Sequence, residues 1–240
     1  MTEATKYKHL EWDDTTVTRF WKWQSQFPKE YFTNLFGRRI ISRLAPHLTE
    51  ARTILDYGCG LGFLTSHLAA FGARVTATDF STEAVEITQT RNQSCSGFEG
   101  AYTIDALAAQ SRVFDCVIAV EVIEHLNDNH LASFLSNIKQ FITPQAKVII
   151  TTPHEEDLRT NEIYCPNCDH VFHRYQHVRT FTKTSLATLL DQFGFEPLEV
   201  FATDFRLRPW WHPKRWAQQL LRRGAIPNPH MVAIARLKQA

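Results

Sequence analysis

Residues 54–62 read Ile-Leu-Asp-Tyr-Gly-Cys-Gly-Leu-Gly, an apolar strand that enters a turn with glycine at alternate positions. A helical pattern from Phe63 to Phe71 follows at once, and a second apolar strand covers Arg74–Thr78. Glycine lets the backbone approach a ligand at angles that a Cβ would hinder. Asp79 ends the second strand, where its carboxylate is positioned to accept hydrogen bonds from two ribose hydroxyls. The run therefore predicts an α/β sheet that holds a nucleoside at the carboxyl ends of its strands.

The order Asp-x-Gly-x-Gly-x-Gly over residues 56–62 differs from the dinucleotide-binding order Gly-x-Gly-x-x-Gly. It resembles motif I of the class I S-adenosylmethionine-dependent methyltransferases, and Asp79 stands where that family keeps its ribose-binding acid. The resemblance implies S-adenosylmethionine as the cofactor, with Phe80 against the adenine ring, Asp105-Ala106 at the adenine amine and Val120-Glu121 beside the methionine moiety. The implied cofactor-binding residues are Asp56, Tyr57, Gly58, Cys59, Gly60, Asp79, Phe80, Asp105, Ala106, Val120 and Glu121.

Strands and helices alternate from Thr53 onward, which predicts a mostly parallel sheet with helices on both faces. The predicted strands are Thr53–Asp56, Arg74–Thr78, Gly100–Thr103, Phe114–Val120, Lys147–Thr152, Phe195–Phe201 and Met231–Leu237. The predicted helices lie near 62–71, 81–92, 127–141 and 182–193. This order matches the Rossmann-like, seven-stranded sheet of the methyltransferases, whose last strand is antiparallel. We therefore expect a helical cap over 1–47 and a methyltransferase domain over 48–240.

Composition is that of a globular enzyme. The chain has 240 residues, enough to bury a sizeable core, with 26 basic and 25 acidic side chains. Because the charges balance, the whole molecule is not a binder of polyanions. No apolar run approaches the roughly 18 residues that span a bilayer, and the N-terminus lacks an apolar signal core. Five cysteines, an odd number, argue against a disulfide framework, so we expect a cytoplasmic protein.

A second motif covers residues 114–126 and contains Glu121, Glu124 and His125. It resembles the Glu-x-x-Glu-His block of ubiquinone-pathway O-methyltransferases and of small-RNA 3′-terminal 2′-O-methyltransferases. In a helical turn the three side chains would project from one face. They could bind a catalytic divalent metal (Mg²⁺, Mn²⁺ or Zn²⁺) that lowers the pKa of a substrate hydroxyl. In the alternative interpretation, Glu121 contacts the cofactor and the other two residues shape the pocket without metal.

The segment 153–180 interrupts the alternation and contains Cys165 and Cys168, followed by His173 and His177. Two thiolates and two imidazoles can close a tetrahedral zinc site, and a metal would help so short an insertion to fold. His177 also precedes a Phe-Thr-x-x-x-Leu helix, where related methyltransferases place a histidine that faces the substrate. One residue cannot easily serve a closed zinc site and a catalytic site together, and the spacing leaves both uses open.

The segment 205–227 is basic and aromatic, with no acidic residue. Trp210, Trp211 and Trp216 alternate there with lysine and arginine. Such a stretch can lie on an anionic membrane surface, or grip phosphate while stacking a ring. A basic flap whose tryptophans pack on the domain is the third interpretation. A peripheral contact with a membrane is therefore an alternative to a wholly cytoplasmic location.

Together these motifs predict an enzyme that transfers the sulfonium methyl group to a nucleophile, in first place a hydroxyl of a small molecule or of a glycan or lipid-linked acceptor. His125 and His177 are the candidate bases, with Glu124 as orienting group or metal ligand. The balanced charge and the lack of a recognisable RNA-binding module favour these acceptors over an RNA 3′ end. A nicotinamide-dependent oxidoreductase is disfavoured by the glycine order, and a non-catalytic cofactor-binding module by the intact motifs.

Overall fold

The computed structural model describes residues 7–207 and 228–239. Seven strands form the main sheet: β2 (Thr53–Tyr57), β3 (Arg74–Asp79), β4 (Phe98–Thr103), β5 (Phe114–Val120), β6 (Ile142–Pro153), β9 (Phe195–Thr203) and β10 (His230–Leu237). Their spatial order is β4-β3-β2-β5-β6-β10-β9. Strands β2 to β6 pair in parallel, whereas β10 is antiparallel to both of its neighbours. The predicted sheet with its antiparallel last strand is confirmed.

Seven α-helices are described: α1 (Asp14–Gln24), α2 (Phe32–Leu48), α3 (Phe63–Phe71), α4 (Thr82–Asn92), α5 (Ile104–Ala108), α6 (Asp128–Gln140) and α7 (Lys183–Gln192). The sequence prediction omitted α5, which is a single short turn. Within the predicted helical cap, Pro28 starts a separate 3₁₀ turn, Pro28–Glu30, and α2 begins four residues later.

Helices cover both faces of the main sheet, and each face has its own core. On one face, buried leucine and isoleucine side chains of α2 and α3 pack on β2, β5 and β10. On the other face, α6 and α7 bury Leu135, Ile138 and Leu186 against the same strands. Because the central strands are buried on both faces, they read as continuous apolar runs. This burial fixes the carboxyl ends of β2, β3 and β5, where the functional residues lie.

A second, three-stranded sheet has the order β1-β8-β7, formed by β1 (Lys8–His9), β7 (Glu162–Cys165) and β8 (His170–His173). Strands β7 and β8 form an antiparallel hairpin, and β1 pairs with β8 in parallel. The sequence prediction treated 153–180 as an irregular insertion, and it contained no β1. The small sheet joins the N-terminal segment to this insertion.

Part of the basic segment 205–227 lies outside the described residues, including its three tryptophans. Of the described part, Phe205 is buried beside α2, and Arg206 pairs with Asp204, which lies just before the segment. Within 7–207 and 228–239, every helix is too short or too polar to cross a bilayer.

Candidate active site

A cleft of about 1200 Å³ opens at the carboxyl ends of the parallel strands. Its floor is the turn after β2 together with the ends of β3 and β5, and α1 and the start of α2 lie over it. Strand order reverses between β2 and β5. From β2 the chain adds β3 and β4 toward one edge of the sheet, and from β5 it adds β6 toward the other edge. Ligands of open α/β sheets bind at such a switch point.

The glycine turn is built for close approach. Gly58 has φ 78°, and a Cβ there would lie 2.7 Å from Cγ2 of Val122. The backbone N–H groups of Gly58 and Cys59 both donate to the carbonyl of Thr78, at 2.8 and 3.1 Å. These hydrogen bonds hold the turn against the end of β3. A side chain at position 58 would therefore collide with Val122 and push the turn away from it.

Asp79 lies where a ribose-binding acid is expected. Its Oδ2 accepts from the backbone N–H of Gly60 at 2.9 Å, and its Oδ1 accepts from Ser81 at 3.0 Å. Burial raises the pKa of Asp79, whereas these backbone donors act in the opposite direction. Phe80 also lines the cleft and exposes 55% of its surface, as a ring placed to cover a ligand would. The predicted nucleoside-binding pair therefore sits together at the cleft wall.

Asp56 is a buried acid beneath the same turn. Its Oδ2 accepts a 2.6 Å hydrogen bond from the Thr65 hydroxyl, and the side chain is 1% exposed. Burial raises the pKa of Asp56 to about 7. Tyr57 and Cys59 line the cleft beside it. This part of the floor therefore carries a carboxyl group that is easily protonated in the unliganded protein.

The residues predicted to bind the adenine amine do not line the cleft. Asp105 and Ala106 are exposed in the first turn of α5 and do not line the cleft. Their neighbour Ile104 does line it. Val120 and Glu121, predicted beside the methionine moiety, line the cleft at the end of β5.

Glu121 has an unusual backbone, with φ 54°. Its backbone N–H donates to the Thr151 carbonyl at 3.1 Å, and its Oε1 accepts from the Thr151 hydroxyl at 2.8 Å. Its Oε2 lies 3.5 Å from Nδ1 of His230. A non-glycine residue held in this region stores strain, which proteins retain mainly at functional sites. The expected helical turn therefore excludes Glu121, whose carboxylate points to β6 and β10.

Glu124 belongs to a 3₁₀ turn, Ile123–His125, and is 1% exposed. Its Oε2 accepts from the Thr152 hydroxyl at 3.1 Å. Its Oε1 has no hydrogen-bond partner among the described residues and lies 3.8 Å from Nε2 of His125. Burial, followed by the charge of Glu121, raises the pKa of Glu124 well above its ordinary value. Without a cation nearby, this carboxyl group therefore favours its protonated form.

His125 is held in one orientation. Its Nδ1 lies 3.4 Å from the Gln176 carbonyl, which can only accept, so Nδ1 carries the proton and Nε2 keeps a lone pair. The Trp21 ring packs edge-on against the imidazole, with 4.9 Å between the ring centroids. Burial lowers the pKa of His125 to about 3, and His177 acts in the same direction. His125 is therefore a neutral imidazole, suited to bind a metal and weak as a base.

His177 completes this cluster. Its ring centroid lies 4.9 Å from that of His125, and its Nδ1 is 2.5 Å from Oε2 of Glu156. Glu124, His125 and His177 each offer one ligand atom, and the three atoms lie within 4.8 Å of one another. The structure thus brings together the three residues that the sequence named as candidate catalytic groups.

The predicted Cys-Cys-His-His zinc set is not gathered at one place. Cys165 lies opposite His170 near the tip of the β7–β8 hairpin, whereas His173 lies opposite Glu162 at its base. At about 3.4 Å per residue the two ends are about 10 Å apart, but zinc needs all ligands within about 2.3 Å of the ion. The metal-competent groups among the described residues contain no cysteine, and both histidines face Glu156. The hairpin register therefore separates the thiols from the imidazoles.

The cleft residues that the sequence prediction did not name include Trp21, Glu156, Gln176 and His230. His230 carried a usable signal, since it begins a strand that borders the cleft, whereas Glu156 lies three residues beyond the end of β6. Trp21 and Gln176 carried none, because both reach the site from segments outside the parallel sheet.

A family model and the curated relatives both identify a methyltransferase domain in this chain. Residues 23–200 match the family described as a methyltransferase domain. A ubiquinone biosynthesis O-methyltransferase of Methylocella silvestris is 38% identical over 113 residues, which cover 46% of this chain and 43% of that protein. One of Xylella fastidiosa is 30% identical over 155 residues, covering 62% and 61%. The chain thus matches about half the length of these curated relatives.

Solved structures share the fold. A Burkholderia thailandensis 1,6-didemethyltoxoflavin-N1-methyltransferase, with bound 1,6-didemethyltoxoflavin and S-adenosylhomocysteine, superposes with a TM-score of 0.64 over all of this chain and 99% of its own, at 16% identity. The methyltransferase domain of the bacterial CtHen1-C superposes at 0.58 over 85% of this chain and 100% of its own, at 17% identity. At such identities the likeness concerns the fold alone.

Proposed function

The chain belongs to the methyltransferase-domain family of class I S-adenosylmethionine-dependent enzymes, and from this membership we propose that it methylates a hydroxyl group of a small-molecule acceptor. The nucleoside half of the cofactor would occupy the Gly58–Gly60 turn and Asp79. Its sulfonium would lie beside Val120 and Glu121, in the part of the cleft between the sheet and the imidazoles of His125 and His177. The acceptor hydroxyl would then approach from the side of Glu124, His125 and His177.

The observation that carries this proposal is the convergence of Glu124, His125 and His177 within 4.8 Å, next to the predicted methionine position. A hydroxyl is a poor nucleophile until its proton is removed or withdrawn. One carboxylate and two imidazoles supply the groups that position such a hydroxyl and handle its proton. Methyl transfer itself needs mainly in-line approach of the oxygen to the methyl carbon, which a closed cleft provides.

A divalent metal fits the same three residues. Glu124 Oε1 is a buried acceptor without a donor, and the Nε2 of His125 keeps a lone pair. Two nitrogen donors and one carboxylate are suited to Zn²⁺ or Mn²⁺, whereas Mg²⁺ prefers oxygen donors. Glu124, His125 and His177 would hold the ion. When bound, it would lower the pKa of an acceptor hydroxyl. A cation would also replace the proton that burial places on Glu124.

Without metal, the proton would pass to an imidazole. The low pKa of His125 makes it a weak base, so His177 is the better candidate in that scheme. In either scheme the acceptor oxygen forms a bond to the methyl carbon while the carbon–sulfur bond breaks. The hydroxyl proton leaves the oxygen, and the products are a methyl ether and S-adenosylhomocysteine.

The acceptor half of the cleft favours a molecule with a flat apolar part. Aromatic side chains of the cap and of the segment after β8 line it: Phe20, Trp21, Tyr31 and Tyr175. Such rings bury a planar acceptor at low cost in conformational entropy. The curated relatives are named for ubiquinone biosynthesis, which supports a hydroxylated small molecule for this chain as well. A glycan acceptor would use the same rings by stacking a sugar face.

Radiolabelled methyl transfer from S-adenosylmethionine to a panel of phenols, sugars and RNA oligonucleotides tests the proposal. We expect label in phenols or sugars, with the ether confirmed by mass spectrometry. Transfer to RNA alone, or to amines alone, would contradict the proposed acceptor class. A chelator should abolish turnover while leaving binding of S-adenosylhomocysteine intact, and added Mn²⁺ should restore it. Full turnover in chelator would favour the metal-free scheme with His177.

A further inference from the structure

We propose that Glu156, itself fixed by His173, is a positioning residue that sets the protonation of His177, so that His177 presents the lone pair of Nε2 to the acceptor. This inference rests on the proposed function for its catalytic meaning. The arrangement of protons that it predicts can be measured without any turnover. It assigns a role to two residues that lie beyond the cluster of Glu124, His125 and His177.

The chain of hydrogen bonds begins at the backbone. The N–H groups of Tyr175 and His177 both point at Nδ1 of His173, at 3.3 and 3.1 Å. A backbone N–H can only donate, so Nδ1 must accept, and the neutral His173 ring therefore carries its proton on Nε2. His173 is 4% exposed, and its Nε2 lies 3.4 Å from Oε1 of Glu156, an electrostatic contact that is not aligned as a hydrogen bond. The protonated nitrogen thus faces a carboxylate.

Local backbone conformation makes this possible. Gln176 has φ 61°, a left-handed conformation that turns the chain back between His173 and His177. The Gln176 N–H donates to the His173 carbonyl at 2.9 Å, which closes the turn. The two imidazole rings stack within it, with centroids 4.5 Å apart and planes 20° from parallel. The turn therefore holds both rings against the same carboxylate.

Glu156 receives donors on both oxygens. Its Oε1 also accepts from the side-chain amide of Asn161 at 3.1 Å, and its Oε2 lies 2.5 Å from Nδ1 of His177. The Asn161 amide is a donor whatever the state of the histidines, and a glutamic acid side chain is ordinarily ionised at neutral pH. An ionised carboxylate can only accept, so His177 must carry its proton on Nδ1. Its Nε2 is then left as the acceptor.

The result is a matched pair of imidazoles. His125 donates its Nδ1 proton to the Gln176 carbonyl, and His177 donates its Nδ1 proton to Glu156. In both rings Nε2 is the nitrogen with a lone pair. A carboxylate behind an imidazole fixes the ring orientation and raises its basicity, which serves a metal ligand and a base equally well.

The same residues admit a competing interpretation, a second metal bound by Glu156, His173 and His177, whose ligand atoms also lie within 4.8 Å of one another. The hydrogen bonds argue against it. To bind a cation through Nε2, His173 would have to move its proton to Nδ1, where it would oppose two backbone N–H groups. We therefore assign this trio as a hydrogen-bonded support and not as a second metal centre.

Long-range ¹H–¹⁵N spectra of the imidazole side chains test the assignment, with the His177→Gln spectrum used to identify the His177 signals. We expect wild-type His177 to be protonated on Nδ1 at neutral pH. Glu156→Gln keeps only one acceptor oxygen. The Asn161 amide and the Nε2–H of His173 both face the position of Oε1, so the oxygen should stay there and the new amide nitrogen should donate to Nδ1 of His177. In that variant we expect His177 to shift to the Nε2-protonated form or to a mixture. Glu155→Gln, at an exposed neighbouring site, is the charge-matched control and should keep the wild-type pattern.

Titration with Mn²⁺ alone gives a second measurement. Supporting residues behind a metal-binding histidine are typically worth 10- to 100-fold in metal affinity. We expect a loss of about that size in Glu156→Gln and partial recovery in Glu156→Asp, with S-adenosylhomocysteine affinity unchanged in both. An Nε2-protonated His177 in the wild type, or an unaltered pattern in a folded Glu156→Gln, would overturn the proposal. Two equivalents of Mn²⁺ per wild-type chain would also overturn it. Failure of methyl transfer alone would count only against the proposed function.

Discussion

Trp21 donates a hydrogen bond from its indole Nε1 to Oε1 of Gln176, at 3.0 Å and across 155 positions of the chain. The amide nitrogen of Gln176 in turn donates to the His125 carbonyl at 2.9 Å. One side chain therefore connects helix α1, which covers the cleft, to the turn that carries the catalytic candidates. The cap and the proposed acceptor site thus share a hydrogen-bonded residue.

Trp21→Phe should weaken this connection. The substitution keeps an aromatic ring against His125 but removes the indole donor, leaving the buried Gln176 amide oxygen without its partner. We expect a stability loss of about 1–3 kcal/mol in urea unfolding, the usual cost of an unsatisfied buried group. We also expect a higher KM for the acceptor, with little change in S-adenosylhomocysteine affinity.

Trp23→Phe is the matched control for that variant. Trp23 lies on the same helix and is 54% exposed. Its replacement should change stability by no more than about 0.5 kcal/mol, as is usual at surface sites. Equal effects of the two substitutions would show that the hydrogen bond to Gln176 contributes nothing specific.

Asp79→Ala should weaken cofactor binding. A hydrogen bond to a charged acceptor is worth about 1.5–3 kcal/mol, so losing two ribose hydroxyl partners should reduce S-adenosylhomocysteine affinity at least about tenfold. Isothermal titration calorimetry measures this directly. Asp105→Ala provides the comparison, since Asp105 is exposed and does not line the cleft. Similar losses in both variants would move the adenosine site toward α5.

Asp56 should make the unliganded protein less stable as the pH rises. Its pKa is raised from 3.8 to about 7 in the folded protein, so the folded state binds more protons between these values. The stabilising contribution is complete below about pH 4 and is lost as the pH rises through about 7. At about 1.4 kcal/mol per pKa unit, the loss from this group is on the order of a few kcal/mol.

Urea unfolding of Asp56→Asn at several pH values between 4 and 8 checks this sign. The amide cannot titrate, so its stability should depend less on pH than that of the wild type. Asp56 and Asp79 influence one another, and the comparison should therefore be repeated in the Asp79→Asn background. A parallel pH dependence in the wild type and Asp56→Asn would assign the titration to another group.

Glu124→Gln should separate cofactor binding from acceptor chemistry. The amide imitates the protonated carboxyl group that burial favours, so the fold should persist. Loss of the carboxylate should abolish Mn²⁺ binding at this cluster and reduce turnover by about 100-fold or more. S-adenosylhomocysteine affinity should remain within about twofold of the wild type. Retained turnover would mean that Glu124 only shapes the pocket.

Cys165→Ser combined with Cys168→Ser should leave the catalytic cluster intact. The thiols lie near the tip of the hairpin, at the opposite end from His173. We expect unchanged Mn²⁺ affinity and turnover within about twofold of the wild type, the usual range for surface substitutions. Elemental analysis of both proteins completes the test. Loss of one equivalent of zinc in the double variant would contradict this expectation and support the zinc site predicted from the spacing of Cys165, Cys168, His173 and His177.

The parallel sheet could be predicted from the sequence because most of its strands are short apolar runs, and strands β2 to β5 alternate with helices. The same regularity placed Asp56, Asp79 and Glu121 at strand ends, where an α/β fold collects its functional groups. Glu124, His125 and His177 could be grouped only through their resemblance to known motifs. Periodicity alone does not bring position 177 next to position 124.

The rest depends on contacts that linear spacing does not encode. The spacing of Cys165 and His173 resembles a metal-ligand pattern. The segment forms part of a hairpin, however, in which Cys165 lies near the tip and His173 at the base. Glu156 follows β6 by three residues, and its importance emerges only when the turn at Gln176 brings two imidazoles to it. A buried hydrogen-bond network of this kind is set by backbone conformation, which the residue order alone did not reveal.

The pairing of β1 with β8 has a consequence for biosynthesis. Lys8 leaves the ribosome early, yet its partner in the small sheet is His170. Strands β2 to β5 can assemble before that residue has been made, whereas Trp12 and Trp21 lack their partners Phe172 and Gln176 until the hairpin and the turn after it emerge. We therefore expect a nascent chain arrested shortly before residue 160 to form the nucleoside half of the cleft while its first helix stays open to proteases.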